Sequence, residues 1–204
     1  MYDAIVYDAI IVAGGRASRL GGIDKTSLEF EGISLIRRAL DAVETAARIC
    51  VVGGDTPLPL PARVERARES PPWGGPAAAI AAGIAALLDS ASPFTAVTAG
   101  DLPRVGAAMP ALLAASAELP DDIDGVLAVD GSGRRQPLLA IYHTAALRRA
   151  VDVVPSLENL PVRRLLETLT LRELALPDNW CTDIDTPEDA AGLGIAISPR
   201  SSAG

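Results

Sequence analysis

Four places in the chain combine residue types that can handle phosphate or a divalent cation. The first is the run Val12-Ala13-Gly14-Gly15-Arg16-Ala17-Ser18-Arg19-Leu20-Gly21-Gly22-Ile23-Asp24-Lys25. Its four glycines let backbone amides approach a ligand closely, and Arg16, Arg19 and Lys25 add positive charge, which together make a phosphate cradle. Neither familiar phosphate motif fits. Adjacent Gly14 and Gly15 break G-x-G-x-x-G, and Asp24 precedes Lys25-Thr26 where a Walker loop needs glycine. A solvated, flexible loop is the alternative reading, and so much Gly and Arg directly after a buried strand weighs against it. The second place is Gly100-Asp101-Leu102-Pro103, directly after an apolar stretch. A carboxylate there can hold magnesium against phosphates, but taken alone a turn or cap before Pro103 accounts for Asp101 better. The third is Asp183 and Asp185, which share a face if the backbone is extended. Thr186-Pro187-Glu188-Asp189 behind them has the residue types of a helix start, with Thr as N-cap and Pro at the first position. That cap explains residues 186–189 but not the two carboxylates before it. The fourth is a pair of arginine doublets, Arg134-Arg135 and Arg163-Arg164, which a solvated face also explains.

Composition narrows what these places can do. The 204 residues are 49% hydrophobic and 22% charged, enough to bury the core of one ordinary domain. Aromatics are 3%, so that core is built from Ala, Val, Leu and Ile. A net charge of -8 argues against a nucleic-acid binder or a basic membrane-surface protein, but not against a small anionic ligand held by local cations. The longest apolar stretch, Ala77 to Leu88, is too short to span a bilayer, and Met1-Tyr2-Asp3 begins no basic-then-apolar leader, so a cytoplasmic location is expected. Cys50 and Cys181 lack the paired spacing of a zinc ribbon or redox couple. His143 is the only histidine, which excludes a His-ligated metal cluster. Its place at the end of an apolar run suits a structural or helix-entry role. Any metal must be held by carboxylates, hence magnesium or manganese. The 18 basic residues are seventeen arginines and one lysine, Lys25. A compact ammonium kept alone among guanidinium groups fits a close phosphate contact, and chance survival fits equally well.

These residues need elements to position them. Residues 2–6 and 7–11 form a tandem near-repeat, Tyr-Asp-Ala-Ile-Val and Tyr-Asp-Ala-Ile-Ile. Only the second copy leads into the glycine-rich turn, so a first strand is expected at about Ala9 to Ala13, with residues 1–6 an extension. Leu35, Ile36, Ala39, Leu40, Val43, Ala46 and Ala47 lie on one helical stripe. Strands are expected at Ile49–Val52, Arg63–Arg68, Pro93–Thr98, Gly125–Val129, Leu138–Tyr142 and Leu171–Leu176. Helices are expected from Pro76 to about Leu88, and at about Gly106–Glu118, Thr144–Val153 and Val162–Leu169, with a short one from Pro187. Residues 195–204 read as a disordered tail. Alternating strands and helices with short connections predict a three-layer α/β domain with a mainly parallel sheet and a late antiparallel excursion over residues 125–142. Ligands of such sheets bind beyond the carboxyl ends of the strands, where the loops above fall.

The run from Val12 to Lys25 closely resembles the signature of the molybdenum cofactor guanylyltransferases, within the larger group of nucleotidyltransferases. Val12 stands for the family's leading Leu and Leu20 for its Met. The resemblance extends in order through Trp73-Gly74-Gly75-Pro76, Gly100-Asp101-Leu102-Pro103, Pro137-Leu138, the segment Asn159 to Leu169, and Asp183-Ile184-Asp185-Thr186-Pro187-Glu188-Asp189. It implies a single Rossmann-like nucleotidyltransferase domain over residues 1–204 and transfer of GMP from GTP to the terminal phosphate of molybdopterin, with release of pyrophosphate. Val12, Ala13, Gly14 and Gly15 would seat the guanine. Arg19 and Lys25 would neutralise the developing pyrophosphate, and Asp101, with Asp185, would hold Mg2+ or, in its place, Mn2+. Glu69 falls where the family has an acidic residue at the base or ribose. Gly53 falls where it often has Asn beside the base, a departure that bears on base specificity. Asp183, Arg134 and Arg163 would face the acceptor. The implied partners are the two small substrates, with transient contact to molybdenum cofactor enzymes or their chaperones. Three rivals stand beside this reading. They are a molybdopterin cytidylyltransferase, expected to carry Ala-Ala-Gly where Ala13-Gly14-Gly15 stands, a sugar-phosphate or phospholactate nucleotidyltransferase, and a nucleotide-binding module that has lost catalysis.

Overall fold

The computed structural model describes residues 5–14, 25–53, 60–184 and 186–195. In chain order the elements are β1 (Tyr7–Val12), a single 3-10 turn (Lys25–Ser27), β2 (Glu29–Phe30), β3 (Ile33–Ser34), α1 (Leu35–Ala42), β4 (Ile49–Val52), β5 (Val64–Ala67), α2 (Pro76–Ala86), β6 (Phe94–Ala99) and α3 (Val105–Ser116). There follow β7 (Gly125–Val129), β8 (Arg135–His143), α4 (Thr144–Asp152), α5 (Val162–Leu165), β9 (Leu171–Ala175), α6 (Asp178–Cys181) and α7 (Pro187–Gly192).

Seven strands form one sheet in the order β5-β4-β1-β6-β8-β7-β9. The first four are parallel, β8 is antiparallel to both β6 and β7, and β9 is parallel to β7. This is the expected α/β architecture, with the antiparallel excursion where the turn Asp130-Gly131-Ser132-Gly133 places it. The central strands are apolar on both faces because helices cover both. Tyr7, Ala9 and Ile11 point to one side, where α1 and α3 pack, and Ile10 to the other, against α2 and α4. The edge strands carry the charges, Glu65 and Arg66 on β5 and Arg172 and Glu173 on β9, which discourages pairing with another chain. Among the described residues no helix is long and apolar enough to cross a membrane.

Several boundaries move for identifiable reasons. The first strand starts at Tyr7, not Ala9, because Tyr7 is buried and its hydroxyl bonds that of Thr45 at 2.7 Å. The helix expected to Leu169 ends at Leu165 and continues as turns that bury Leu166. His143 ends β8 and enters α4, with its ring 4.5 Å from that of Phe94, as its place in the sequence suggested. The hairpin β2–β3 and the one-turn α6 have too little periodicity to be read in advance.

Residues 1–4, which include the first three positions of the tandem repeat, lie outside the described residues. Ile5 packs partly against the core, while Val6 is 57% exposed. Deleting residues 1–6 is therefore expected to leave turnover near that of the full chain and to cost on the order of 1 kcal/mol of stability. Loss of soluble protein would show that the first copy is structural.

Candidate functional site

The carboxyl ends of β1, β4 and β6 meet at one edge of the sheet, and glycine lets them meet closely. Gly53, just after β4, has φ +91°, and a Cβ there would lie 2.6 Å from the Gly14 Cα. A Cβ on Gly100, just after β6, would lie 3.3 Å from the Thr26 side chain and 3.4 Å from the Ala13 Cα. Thr26 is itself buried. The turn that carries Lys25 is thus packed against the turn that carries Asp101. Their side chains form an ion pair, Nζ to Oδ2 at 3.7 Å, each about one-fifth exposed. Gly53 cannot accept a side chain without displacing Gly14. Gly53→Ala is expected to cost about 2 kcal/mol or more through backbone strain and overlap, read as a lower urea midpoint, and to weaken nucleotide binding through Gly14. An unchanged midpoint would contradict the close packing.

Two cavities are lined by residues of the same strand ends and the loops after them. One, of about 480 Å3, is lined by Gly14, Glu69, Trp73, Gly75, Glu158 and Asn159 among others. Glu69 is 8% exposed. Trp73 and Asn159 both hold the left-handed backbone region, with φ 66° and 53°. The Asn159 amide donates to the Gly74 carbonyl at 2.7 Å, so the residue 158–159 loop is tied to the entrance of α2. Non-glycine residues in this region are strained, and such strain clusters at binding sites. Neither Trp73, although it lies in the Trp73-Gly74-Gly75-Pro76 motif, nor Glu158 is identifiable as a site residue from the sequence. No local pattern identifies them, since the cavity exists only once α2 and the α4–α5 loop are packed.

The second cavity, of about 820 Å3, is walled by β6, β7, β8 and α5 and lined by Ala99, Leu102, Arg134, Gln136, Arg163 and Asp183 among others. Ala99 and Leu102 flank Asp101, and Pro76 lines both cavities. Arg134, Arg163 and Asp183, far apart in sequence, are brought to one wall. The second arginine of each doublet is ion-paired, Arg164 with Glu167 at 2.7 Å and Arg135, which also lines the cavity, with Glu173 at 2.6 Å. Ile184 is fully buried with Leu28, Phe30, Leu35 and Ala190, so the C-terminal segment is anchored beside the turn of Lys25. Thr186 caps α7 in a reciprocal capping box with Asp189, as the residue types predicted. Cys181, in the same cavity wall, has its thiol pushed up to about 11 by burial, with the Asp130 and Asp178 carboxylates adding to it, so it stays protonated at neutral pH.

Gly15, Arg19 and Asp185 lie outside the described residues. Among the described residues no group of three or more His, Cys, Asp or Glu side chains converges to hold a metal. The Asp101 carboxylate is of the hard oxygen type that magnesium takes. Magnesium is commonly bound by one or two carboxylates with substrate phosphates and water completing the shell, so the donor set fits an ion that arrives with a nucleotide.

A sheet that gathers a lysine and a carboxylate at its carboxyl edge, with one cavity lined by Gly14 and another by Leu102, has the architecture of a nucleotidyltransferase. The family model of the MobA-like NTP transferase domain matches residues 9–173, and the chain belongs to that family. It is 28% identical over 201 residues to a probable molybdenum cofactor guanylyltransferase of Natronomonas pharaonis, covering 88% of this chain and 93% of that protein. Among solved structures it resembles the molybdopterin-guanine dinucleotide biosynthesis protein A of Archaeoglobus fulgidus, with a TM-score of 0.64 and 18% identity over 91% of this chain and 96% of the other. It also resembles the 4-diphosphocytidyl-2C-methyl-D-erythritol synthase of Anaerococcus prevotii, with a TM-score of 0.65 and 14% identity over 94% of this chain and 97% of the other. The fold is common to transferases of different nucleotides.

Proposed function

We propose that this nucleotidyltransferase moves GMP from GTP to the terminal phosphate of molybdopterin and releases pyrophosphate. The observation that carries the reading is the pair of cavities meeting at Pro76, one beside Gly14 and Glu69, the other lined by Arg134 and Arg163. Asp101 stands next to the wall of the second. GTP occupies the first, with Val12 to Gly15 against the base, Glu69 toward base or ribose, and Gly53 supporting Gly14. The acceptor occupies the second, where the guanidinium groups of Arg134 and Arg163 offset its phosphate charge and Asp183 lines the same wall. Gly14-Gly15 after Ala13 favours guanine over cytosine.

The chemical difficulty is bringing an anionic phosphate to the α-phosphorus of a tetra-anion. Catalysis is therefore positioning and charge neutralisation, with no covalent intermediate on the protein and no general base, since the attacking phosphate is already ionised. Lys25 neutralises the phosphate chain from its fixed turn, together with Arg19. Asp101, with Asp185, would hold Mg2+, which when bound would supply charge neutralisation. Before substrate arrives, the Lys25–Asp101 pair keeps both charges satisfied. Pyrophosphate release is the test, measured with GTP or CTP, with molybdopterin, and with or without magnesium. Release only with GTP, molybdopterin and magnesium together is expected. Faster release with CTP would overturn the base assignment, and release dependent on a sugar phosphate but not molybdopterin would overturn the acceptor.

A further inference from the structure

The larger cavity owes its shape to a defect in the sheet. Along β7 and β8 the partners run Gly125–Tyr142, Val126–Ile141 and Leu127–Ala140, and then jump to Ala128–Gln136. Pro137, Leu138 and Leu139 have no partner on β7, and the cavity is lined by Leu127, Gln136 and these three residues. Pro137 has no amide hydrogen to give a ladder. Its carbonyl instead accepts a bond from the Tyr142 hydroxyl at 2.8 Å. Gln136 is therefore the last paired residue before β8 leaves β7, at the lip of the opening.

The Gln136 amide is held in one orientation. Asp130, in the turn before β8, accepts at Oδ1 from the Ser132 amide, the Ser132 hydroxyl and the Arg134 amide, at 3.0, 2.6 and 3.0 Å. Its Oδ2 accepts from Gln136 Nε2 at 2.9 Å. The Ser132 hydroxyl first, then the Arg134 amide, hold the Asp130 carboxyl below the usual range, so it is ionised and can only accept. Gln136 must turn Nε2 toward it. Oε1 is left over, and among the described residues no donor reaches it. The charged groups that line the cavity with Gln136 are three arginines, Arg134, Arg135 and Arg163, which are donors without acceptors, and the carboxylates of Glu167 and Asp183, so Oε1 is its neutral side-chain amide acceptor.

We propose that Gln136 is a specificity-determining residue of the acceptor site, its Oε1 accepting from an N–H of an anionic heterocycle whose charge the neighbouring arginines balance, and that Asp130 is the positioning residue that fixes this orientation. The proposal rests on placing the acceptor in this cavity.

Two measurements separate it from that reading. One is direct binding of pterin-6-carboxylate, a fluorescent anionic heterocycle with N–H donors. The other is GMP transfer to molybdopterin at varied acceptor and varied GTP. Gln136→Leu is expected to weaken pterin binding and raise KM for molybdopterin by about tenfold or more, with KM for GTP unchanged. Gln136→Glu sets two carboxylates against each other and is expected to be as poor. The exchange Asp130→Asn with Gln136→Glu inverts the pair and conserves charge. The introduced asparagine can accept at Oδ1 from Ser132 and Arg134 while its amide donates to the introduced glutamate, leaving a carboxylate oxygen for the ligand. Recovery of pterin affinity in the exchanged pair, relative to Gln136→Glu alone, is expected. Absence of pterin binding to the wild type, equal affinity in Gln136→Leu, or no recovery on exchange overturns the proposal. Wild-type pterin binding that depends on Gln136, without transfer to molybdopterin, would instead overturn the proposed reaction.

Discussion

Asp101→Asn is expected to lower GMP transfer to near background, a loss on the order of 1000-fold or more, while leaving the fold in place. Asparagine keeps the volume and turn geometry and removes only the charge. The turn does not depend on that charge, since Leu102 and Val105 just after it are anchored in the core. The ion pair with Lys25 is partly exposed, and its loss costs about 0–1 kcal/mol. Thermal unfolding should therefore move by only a few degrees. Turnover at the wild-type rate would sink the role of Asp101 in holding magnesium. Loss of activity with collapse of the unfolding transition would show a structural role instead.

Lys25→Arg is the second large expectation, because it would be conservative on a solvated loop and natural in a chain whose other cations are all arginine. The turn Lys25–Ser27 is fixed by buried Thr26 and by its packing on Gly100, so the longer side chain cannot be absorbed by backbone movement. Asp101 lies 3.7 Å from the ammonium, within reach of a planar guanidinium that binds carboxylates in a bidentate fork. Arginine would tighten the pair and hold both groups away from the phosphates. A misplacement of about 1 Å at this kind of contact costs on the order of 100-fold in turnover. Stability should be unchanged or slightly higher. Full activity in Lys25→Arg would make the lysine a diffuse positive charge and its solitary presence chance. Failure of Lys25→Arg with tolerance of Arg16→Lys would centre the phosphate cradle on Lys25.

Much of the scaffold was legible because its signals are local. The β7 range Gly125–Val129 follows from a buried run bounded by turn residues, α2 from Pro76 at its first position, and the α7 cap from Thr186 three residues before Asp189. The glycine-rich loop before Lys25, and the turn at Asp101, stand out by composition. β8 starts at Arg135, three residues before the Leu138 that its apolar run implies. Pro137 interrupts the run, and the residues before it pair only because Asp130 folds the turn back on them.

By itself the sequence determined an α/β chain with glycines, cations and carboxylates in the loops after its strands, since hydrophobic period and turn chemistry act over a few residues. Only the tertiary structure decided which of those residues meet. Lys25 reaches Asp101 because β1 and β6 are neighbours in the sheet, and Gly100 leaves room for Thr26 between them. Arg134, Arg163 and Asp183 share a cavity because β8 parts from β7 at Pro137, and the C-terminal segment carrying Asp183 is drawn in by the burial of Ile184. Strand order and burial are set by the whole core at once, and no window of the chain carries them.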